Sequence, residues 1–332
     1  MSLRDRLIKN TTIEETMVLK NSSIFDEQDA IVTDIPALNV ALGGGVDTGM
    51  TPGILQIAGK SKHFKSKFAL KMAKSFMDKF PDGAILFYDS EFGSPESYFE
   101  DINADNVIHT PIVDLDKLIH DVTKQLDALE KNDHLFILID SLGNMASAKE
   151  VEDALKSDAP PTDMTRAKRI KALFRIAGPR AVMKKVYIVV INHVYSSLDK
   201  YAKDAISGGS GTYYNSNIIW VIGREQDKDD KTKEILGYDF KINIEKSRFI
   251  KEGEQIPISV TFESGIDKWS GLLDLALESK LIIRPTAQLY ARADKPETTY
   301  KRKEFDRNDE FWEAFMKETK FSEWILQKFK LN

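Results

Sequence analysis

Apolar residues recur along this chain with two different periods, and the alternation between those periods lays out the fold. Ile54, Leu55, Ile57 and Ala58 form a short apolar run. After a lysine-rich break, Ala69, Met72, Ala73, Phe76 and Phe80 return at helical spacing with lysines on the other face. Downstream the pattern predicts strands over 84–88 and around Val107 and Ile108, each followed by a helix, over 94–102 and 114–130. The second helix is the clearest: Leu115, Leu118, Ile119, Val122, Leu126 and Leu129 share one face behind an Asp114 cap. Residues 135–139 and 186–191 are unbroken apolar runs, as in strands covered on both faces. Between them a helix over 166–178 would bury Ile170, Leu173, Phe174 and Ala177. Together these elements predict an α/β sheet with crossover helices.

The segments IIWVIGR, GYDFKINIEKSR and IPISVTF, from residue 218 on, predict antiparallel strands that extend the sheet. Residues 271–283 return to helix, 284–309 read as a polar, proline-bearing stretch, and Phe311, Trp312, Phe315, Trp324 and Phe329 mark a small helical end. Those rings predict a local packing cluster. At the other end, residues 2–20 predict one or two short helices, with Thr12 and Glu15 at capping-box spacing. Residues 22–32 read as a polar connector that docks on the body or on a neighbouring subunit. Residues 41–53, with five glycines, predict a tight, mobile loop.

Composition narrows the chemistry. A length of 332 residues suggests one large or two unequal domains. Cysteine is absent, which excludes disulfides and thiolate metal sites, and the five histidines show no ligand spacing. The amino terminus has no apolar signal core, and the longest apolar run is too short to cross a bilayer. A soluble, cytoplasmic protein is therefore expected. Forty-seven basic against 52 acidic residues give a formal charge of -5, so any nucleic-acid binding must be local rather than global.

The lysine-rich break, GKSKHFKS over residues 59–66, has the layout of a phosphate-binding turn between a strand and a helix. Backbone amides converge there on phosphate oxygens at the positive helix end, Lys65 reaches the outer phosphates, and Ser66 ligates magnesium. Phe64 stands where the usual pattern has a second glycine. Asp140 ends the run LFILID, the arrangement of a carboxylate that holds magnesium through water. LFYDSEFG places Asp89 and Glu91 just beyond another buried strand, at the edge where ligands of α/β sheets sit, and Glu91 is a candidate to activate water.

GKSKHFKS, LFYDSEFG, LFILIDSLGN, SDAPPTDMTRAKRIKALFRI, INHVY, the GGSGTYY turn, INIEKSR and GIDKWSGLLDLALE, in this order, closely resemble the RecA-like strand-exchange recombinases of the phage type called UvsX. That type also carries phenylalanine at the second Walker glycine. The resemblance implies a RecA-like P-loop ATPase core over 34–270, a mixed, mostly parallel twisted sheet with flanking helices. It also implies an N-terminal helical arm over 1–33 for protomer–protomer contact and a small C-terminal α/β domain over 271–332. The cofactors implied are ATP and Mg2+.

By that resemblance Gly59, Lys60, Ser61, Lys62, His63, Phe64, Lys65, Ser66 and Lys67 cradle the nucleotide, with Ser66 and Asp140 at the metal. Glu91 positions the attacking water, Tyr98 stacks on adenine, and His193 replaces a glutamine that senses the γ-phosphate. Pro95 stands where bacterial members have an aspartate reading the adenine edge. Lys246 and Arg248 match cations that reach the ATP of an adjacent subunit. DNA contacts are expected from Arg166 and Arg169 after a first loop, and from Tyr195, Lys200, Tyr201, Lys203, Gly208 and Gly209 in a second. The implied partners are single-stranded and homologous duplex DNA, further copies of the chain in a helical filament, and single-strand-binding and mediator proteins. Two alternatives stay open at this stage: a non-catalytic mediator or paralogue, and a ring helicase of the same fold.

Overall fold

The computed structural model describes residues 1–13, 15–22, 29–93, 96–156, 165–195, 205–228, 232–262, 265–305 and 307–331. Its elements in order are α1 (Leu3–Asn10), α2 (Pro36–Gly43), β1 (Gly53–Gly59), α3 (Lys65–Lys79), β2 (Ala84–Asp89), β3 (Val107–Pro111), α4 (Leu115–Ala128), β4 (Leu135–Asp140), α5 (Ala148–Ala154) and α6 (Thr165–Met183). There follow β5 (Tyr187–Asn192), β6 (Val194–Tyr195), β7 (Ala205–Ile206), α7 (Ser210–Asn215), β8 (Ile218–Lys228), β9 (Ile235–Ser247), β10 (Gln255–Thr261) and β11 (Gly265–Ile266). The chain closes with α8 (Leu272–Glu278), β12 (Ile282–Thr286), β13 (Leu289–Arg292), β14 (Lys295–Lys301), α9 (Asp309–Glu318) and α10 (Phe321–Phe329).

Nine strands form one sheet in the order β11-β10-β9-β8-β1-β5-β4-β2-β3. The six from β8 to β3 run parallel and the three at the other side run antiparallel. Successive side chains of a strand point to opposite faces, and here they feed two apolar layers. Leu55, Ile57, Phe136, Leu138, Val189 and Ile191 pack toward α3, whereas Ile54, Ile137, Ile139, Ile188 and Val190 pack toward α4 and α6. Burial on both faces explains why these strands read as continuous apolar runs. The ladder aligns Ala58 with Asn192 and Asp89 with Asp140, so the carboxyl ends of β1, β2, β4 and β5 come out at one edge.

Several expectations are corrected. Thr12 and Glu15 cap no helix; the capping box is Ser2 with Asp5 on α1, and a 3-10 turn at Leu19–Asn21 replaces a second helix. Residues 41–53 are packed, not loose. Ala41 to Gly43 finish α2, Gly44 caps it at φ 83°, and a Cβ on Gly49 would lie 2.1 Å from the Ile31 carbonyl oxygen. The described end of the connector, residues 29–32, meets the body, as one of its two expected placements had it: Ile31 bridges Met50, and Asp29 accepts from the Tyr187 hydroxyl and pairs with Lys185, while residues 23–28 lie outside the described residues. The helix expected over 94–102 is a 3-10 turn at Glu96–Phe99, and α6 runs on past Pro179. The polar stretch after residue 284 holds a three-stranded antiparallel sheet, β12-β13-β14, which also claims Ile282 and Ile283 from the expected helix. Among the described residues, no helix is long and apolar enough to cross a membrane.

Candidate active site

At the shared carboxyl edge of the parallel strands lies a cleft of about 390 Å³. Its walls come from residues 61–67 of the loop, Glu91, Gly93, Tyr98, Asp140, Ile191, His193, Arg224 and Tyr238. The loop leaves β1 at Gly59, where a Cβ would meet the Ile222 carbonyl oxygen at 3.3 Å. Lys62 and Phe64 both take positive φ, 61° and 55°, and Phe64 is the residue from which α3 starts. Among the described residues, the amides of Ser61, Lys62 and Phe64 make no backbone hydrogen bond, and Ser61 and Lys62 lie in a hydrogen-bonded turn. Unspent amides at a helix N-terminus form an anion cradle. Lys60 gives its carbonyl to the Lys65 ammonium at 2.9 Å, which folds the lysine back over the loop. Burial lowers the Lys65 pKa, opposed by the charges of Glu91 and Asp140.

Asp140, almost fully buried, accepts a 2.6 Å hydrogen bond from Ser66 Oγ on one oxygen. Its other oxygen, Oδ1, has no partner among the described residues. Burial pushes its pKa up to about 6, against the pull of the Ser66 hydrogen bond. A buried, unpaired carboxylate oxygen beside a serine hydroxyl is the donor set of a hard divalent cation such as magnesium, so these residues fit that ion. The peptide between Asp140 and Ser141 is cis.

Glu91 hangs at the mouth of the cleft, on a turn fixed by Asp89, whose Oδ1 accepts from the amides of Glu91 at 3.0 Å and Phe92 at 2.9 Å. Its carboxylate accepts from His193 Nε2 at 3.1 Å, and Ser141 Oγ lies 3.2 Å from the same nitrogen. The His193 bond is the largest cause holding the Glu91 pKa below the usual range. His193 follows β5 directly and precedes the β6–β7 hairpin, so one side chain borders both the cleft and the second loop.

The structure brings together Ser61 through Lys67, Glu91, Tyr98, Asp140 and His193 around the cleft, with Lys67 Nζ 3.6 Å above the Tyr98 ring, while Gly59 and Lys60 form the stem of the loop behind it. The remaining candidates lie elsewhere. Arg166 donates to the carbonyls of Leu142, Gly143 and Met145 and to Ser207 Oγ, and so pins the first loop to the second. Arg169 pairs with Asp116 at 2.7 Å. Tyr195 is exposed on β6; Gly208 and Gly209 follow β7 with φ of 95° and 64°. Lys246 donates to Tyr213, Tyr214 and Ser216 carbonyls, and Arg248 is exposed beyond β9, both remote from the cleft of their own chain. Lys200, Tyr201, Lys203 and Pro95 lie outside the described residues.

Arg224, Tyr238 and Ser141 line or border the cleft without having been singled out from the sequence. For Arg224 a signal existed: it continues the period-2 face of Ile218, Trp220 and Ile222 as a charged residue, which marks the point where that face leaves the core.

Strand order, loop and carboxylates together define a RecA-like α/β protein. The crystal structure of the RadB recombinase shares this fold, with a TM-score of 0.50 and 18% identity over 71% of this chain and 98% of that one. Protein RecA of Malacoplasma penetrans (strain HF-2) is 20% identical over 82% of this chain and 81% of its own length. The recombination and repair protein of Enterobacteria phage T4 is 43% identical over 314 residues, 94% of this chain and 79% of the relative. The family model for the C-terminal domain of the bacteriophage T4 recombination and repair protein matches residues 269–325. The chain belongs to this UvsX family of RecA-like phage recombination proteins.

Proposed function

We propose that the protein is an ATP-dependent recombinase that polymerises as a helical filament on single-stranded DNA and pairs that strand with a homologous duplex. One observation carries the coupling: the 3.1 Å hydrogen bond from His193 to Glu91 joins the carboxylate at the mouth of the cleft to the root of the β6–β7 hairpin. In this reading the amides of residues 59–67 and Lys65 hold the triphosphate, Tyr98 carries the base, and Glu91 orients the attacking water. Ser66 and Asp140 hold magnesium, which when bound neutralises charge on the outer phosphates. His193 releases Glu91 for water only when the hairpin settles, which makes turnover depend on DNA. Single-stranded DNA runs along Tyr195, Gly208, Gly209 and the intervening Lys200, Tyr201 and Lys203, with Arg169 near the first loop and Arg166 tying the two loops together.

Lys246 sits opposite Ile219 at the start of β8, whereas the loop meets β8 at Ile222. That separation favours action of Lys246 and Arg248 on an adjacent protomer's nucleotide over their own. Residues 1–33 are assigned to protomer contact, 34–270 to the ATPase and DNA-binding core, and 271–332 to a small C-terminal domain. Single-strand-binding and mediator proteins are assigned as partners. Action in the host cytoplasm is assigned on the phage origin of the relative.

Phosphate release should rise sharply with single-stranded DNA, and the stimulation should fade with added salt. Lys65→Ala should abolish both turnover and homologous pairing. Equal turnover with and without DNA, or unimpaired pairing by Lys65→Ala, rules the reading out.

A further inference from the structure

A phosphate loop that lacks its second glycine needs another means of holding a left-handed turn. Phe64 stands in the region of φ that favours glycine, as does Lys62 two residues earlier. Neither side chain stabilises that geometry by itself, so the support has to come from outside the loop. Among the described residues, the side-chain contacts that reach the loop from outside the loop and α3 come from one pair of strands. The Phe64 ring packs on Phe240 of β9, 5.2 Å between centroids, and Phe240 meets Phe68 edge-on at 5.8 Å on the first turn of α3. His63 Nδ1 donates to the Ile222 carbonyl of β8 at 2.8 Å. Arg224 of β8 donates from Nη1 to the Lys62 carbonyl at 2.9 Å, and its guanidinium lies 4.4 Å above the Tyr238 ring of β9. Arg224 and Phe240 are themselves cross-strand partners, so both grips issue from one rung of the ladder.

We infer that the β8–β9 pair is an external brace that keeps the loop in its phosphate-binding shape, and that Arg224 is a positioning residue for the nucleotide. The inference rests on the reading of residues 59–67 as the triphosphate site. A trans peptide is planar, with its carbonyl and amide pointing in opposite directions. By fixing the Lys62 carbonyl, Arg224 therefore fixes the orientation of the whole Lys62–His63 peptide, and with it the direction of the His63 amide. Tyr238 carries the guanidinium over its ring, a contact in which a lysine ammonium is no equivalent. The brace acts on binding rather than on the water-activating step, because Glu91 and His193 are held past the ends of other strands, β2 and β5.

The test is a titration of the full chain with magnesium and N-methylanthraniloyl-ATP, followed by fluorescence, with steady-state turnover and thermal melting alongside. Arg224→Ala should weaken binding and raise KM about tenfold, the scale of losing one charge-assisted hydrogen bond, while kcat changes less than about threefold. Arg224→Lys should recover part of the affinity, since an ammonium can still donate to the Lys62 carbonyl. Phe240→Ala should weaken binding about tenfold when Phe64 is present but under about threefold in a Phe64→Gly background, because glycine needs no brace. Unaltered affinity in Arg224→Ala, with Lys65→Ala losing binding, overturns the brace and leaves the site standing. Equal losses for Phe240→Ala in both backgrounds also overturn it. Unaltered binding by Lys65→Ala removes the site itself, and the brace with it.

Discussion

Asp140 carries a charge in a place built for a counter-ion, and that has a measurable cost in the metal-free protein. Its buried carboxyl titrates near 6 in the fold, against about 3.9 in an unfolded chain. A raised carboxyl pKa means that the folded state binds the proton more tightly. The penalty from this one group should therefore fade as pH falls from about 6 toward 4, and it persists in full above about 6 in the nucleotide-free, metal-free protein. Two pKa units correspond to roughly 3 kcal/mol, an upper figure for a group that relaxes on ionising. Asp140→Asn should consequently stabilise the metal-free protein at pH 8, by on the order of 1–2 kcal/mol in urea unfolding, while destroying turnover. The gain should shrink as the pH approaches 5. If Asp140→Asn is no more stable than the unaltered chain at pH 8, the carboxylate is not strained by its burial, and the argument for a cation at that oxygen loses its footing.

At the scale of elements, α7 shows how a cation can serve its own chain. The Lys246 ammonium is spread over the Tyr213, Tyr214 and Ser216 carbonyls at 2.6, 3.2 and 2.9 Å, at the negative end of the α7 helix. Burial lowers its pKa, which is the cost of keeping that charge there. Lys246→Ala should fray α7, with faster amide exchange confined to residues 210–217 and a stability loss of about 1 kcal/mol. Unchanged exchange in that segment would show that the carbonyls are satisfied without the lysine. Such tertiary uses of a side chain are invisible to pattern reading, and the rest of the fold divides along the same line. The strands β1, β2, β4 and β5 were legible because both faces are buried and nearly every position is apolar, Gln56 and the strand-end Asp89, Asp140 and Asn192 apart. The three strands β12 to β14 were not, since β14 is almost wholly exposed and shows no alternation. The helix α2 was missed for the opposite reason: all of Pro36 to Leu42 is buried, so no polar face reveals its period. In the site, Asp140 and Glu91, at and just past strand ends, could be read from sequence because the ends of parallel strands converge by topology, whereas His193 came only from the family resemblance. Arg224 and Tyr238 reach the cleft only through the pairing of β8 and β9, which no local spacing encodes.

For the whole molecule, the decisive fact is that the C-terminal elements own no separate core. Trp312, Phe315, Phe321, Ile325 and Phe329 belong to the same contiguous apolar layer as Leu55, Phe68, Phe76 and Val189 of the main sheet. Backbone bonds reinforce the join: Lys251 N donates to Phe329 O and Leu331 N to Phe249 O, both at 2.9 Å, around a bridge between Ile250 and Lys330. A Cβ on Gly44, at the end of α2, would already meet the Lys330 backbone at 3.0 Å. Segments that share one apolar layer cannot lose it piecemeal without exposing their partners. Urea unfolding should therefore give coincident transitions by far-UV circular dichroism and, in a Trp220→Phe chain, by the fluorescence of Trp269, Trp312 and Trp324, despite the length of the chain. Phe329→Ala, which empties a fully buried aromatic position, should cost about 3 kcal/mol or more and shift both signals together. Two separated transitions, with the substitution moving only the tryptophan signal, would make residues 271–332 a domain that folds on its own. The positioning of the cleft would then owe nothing to α9 and α10.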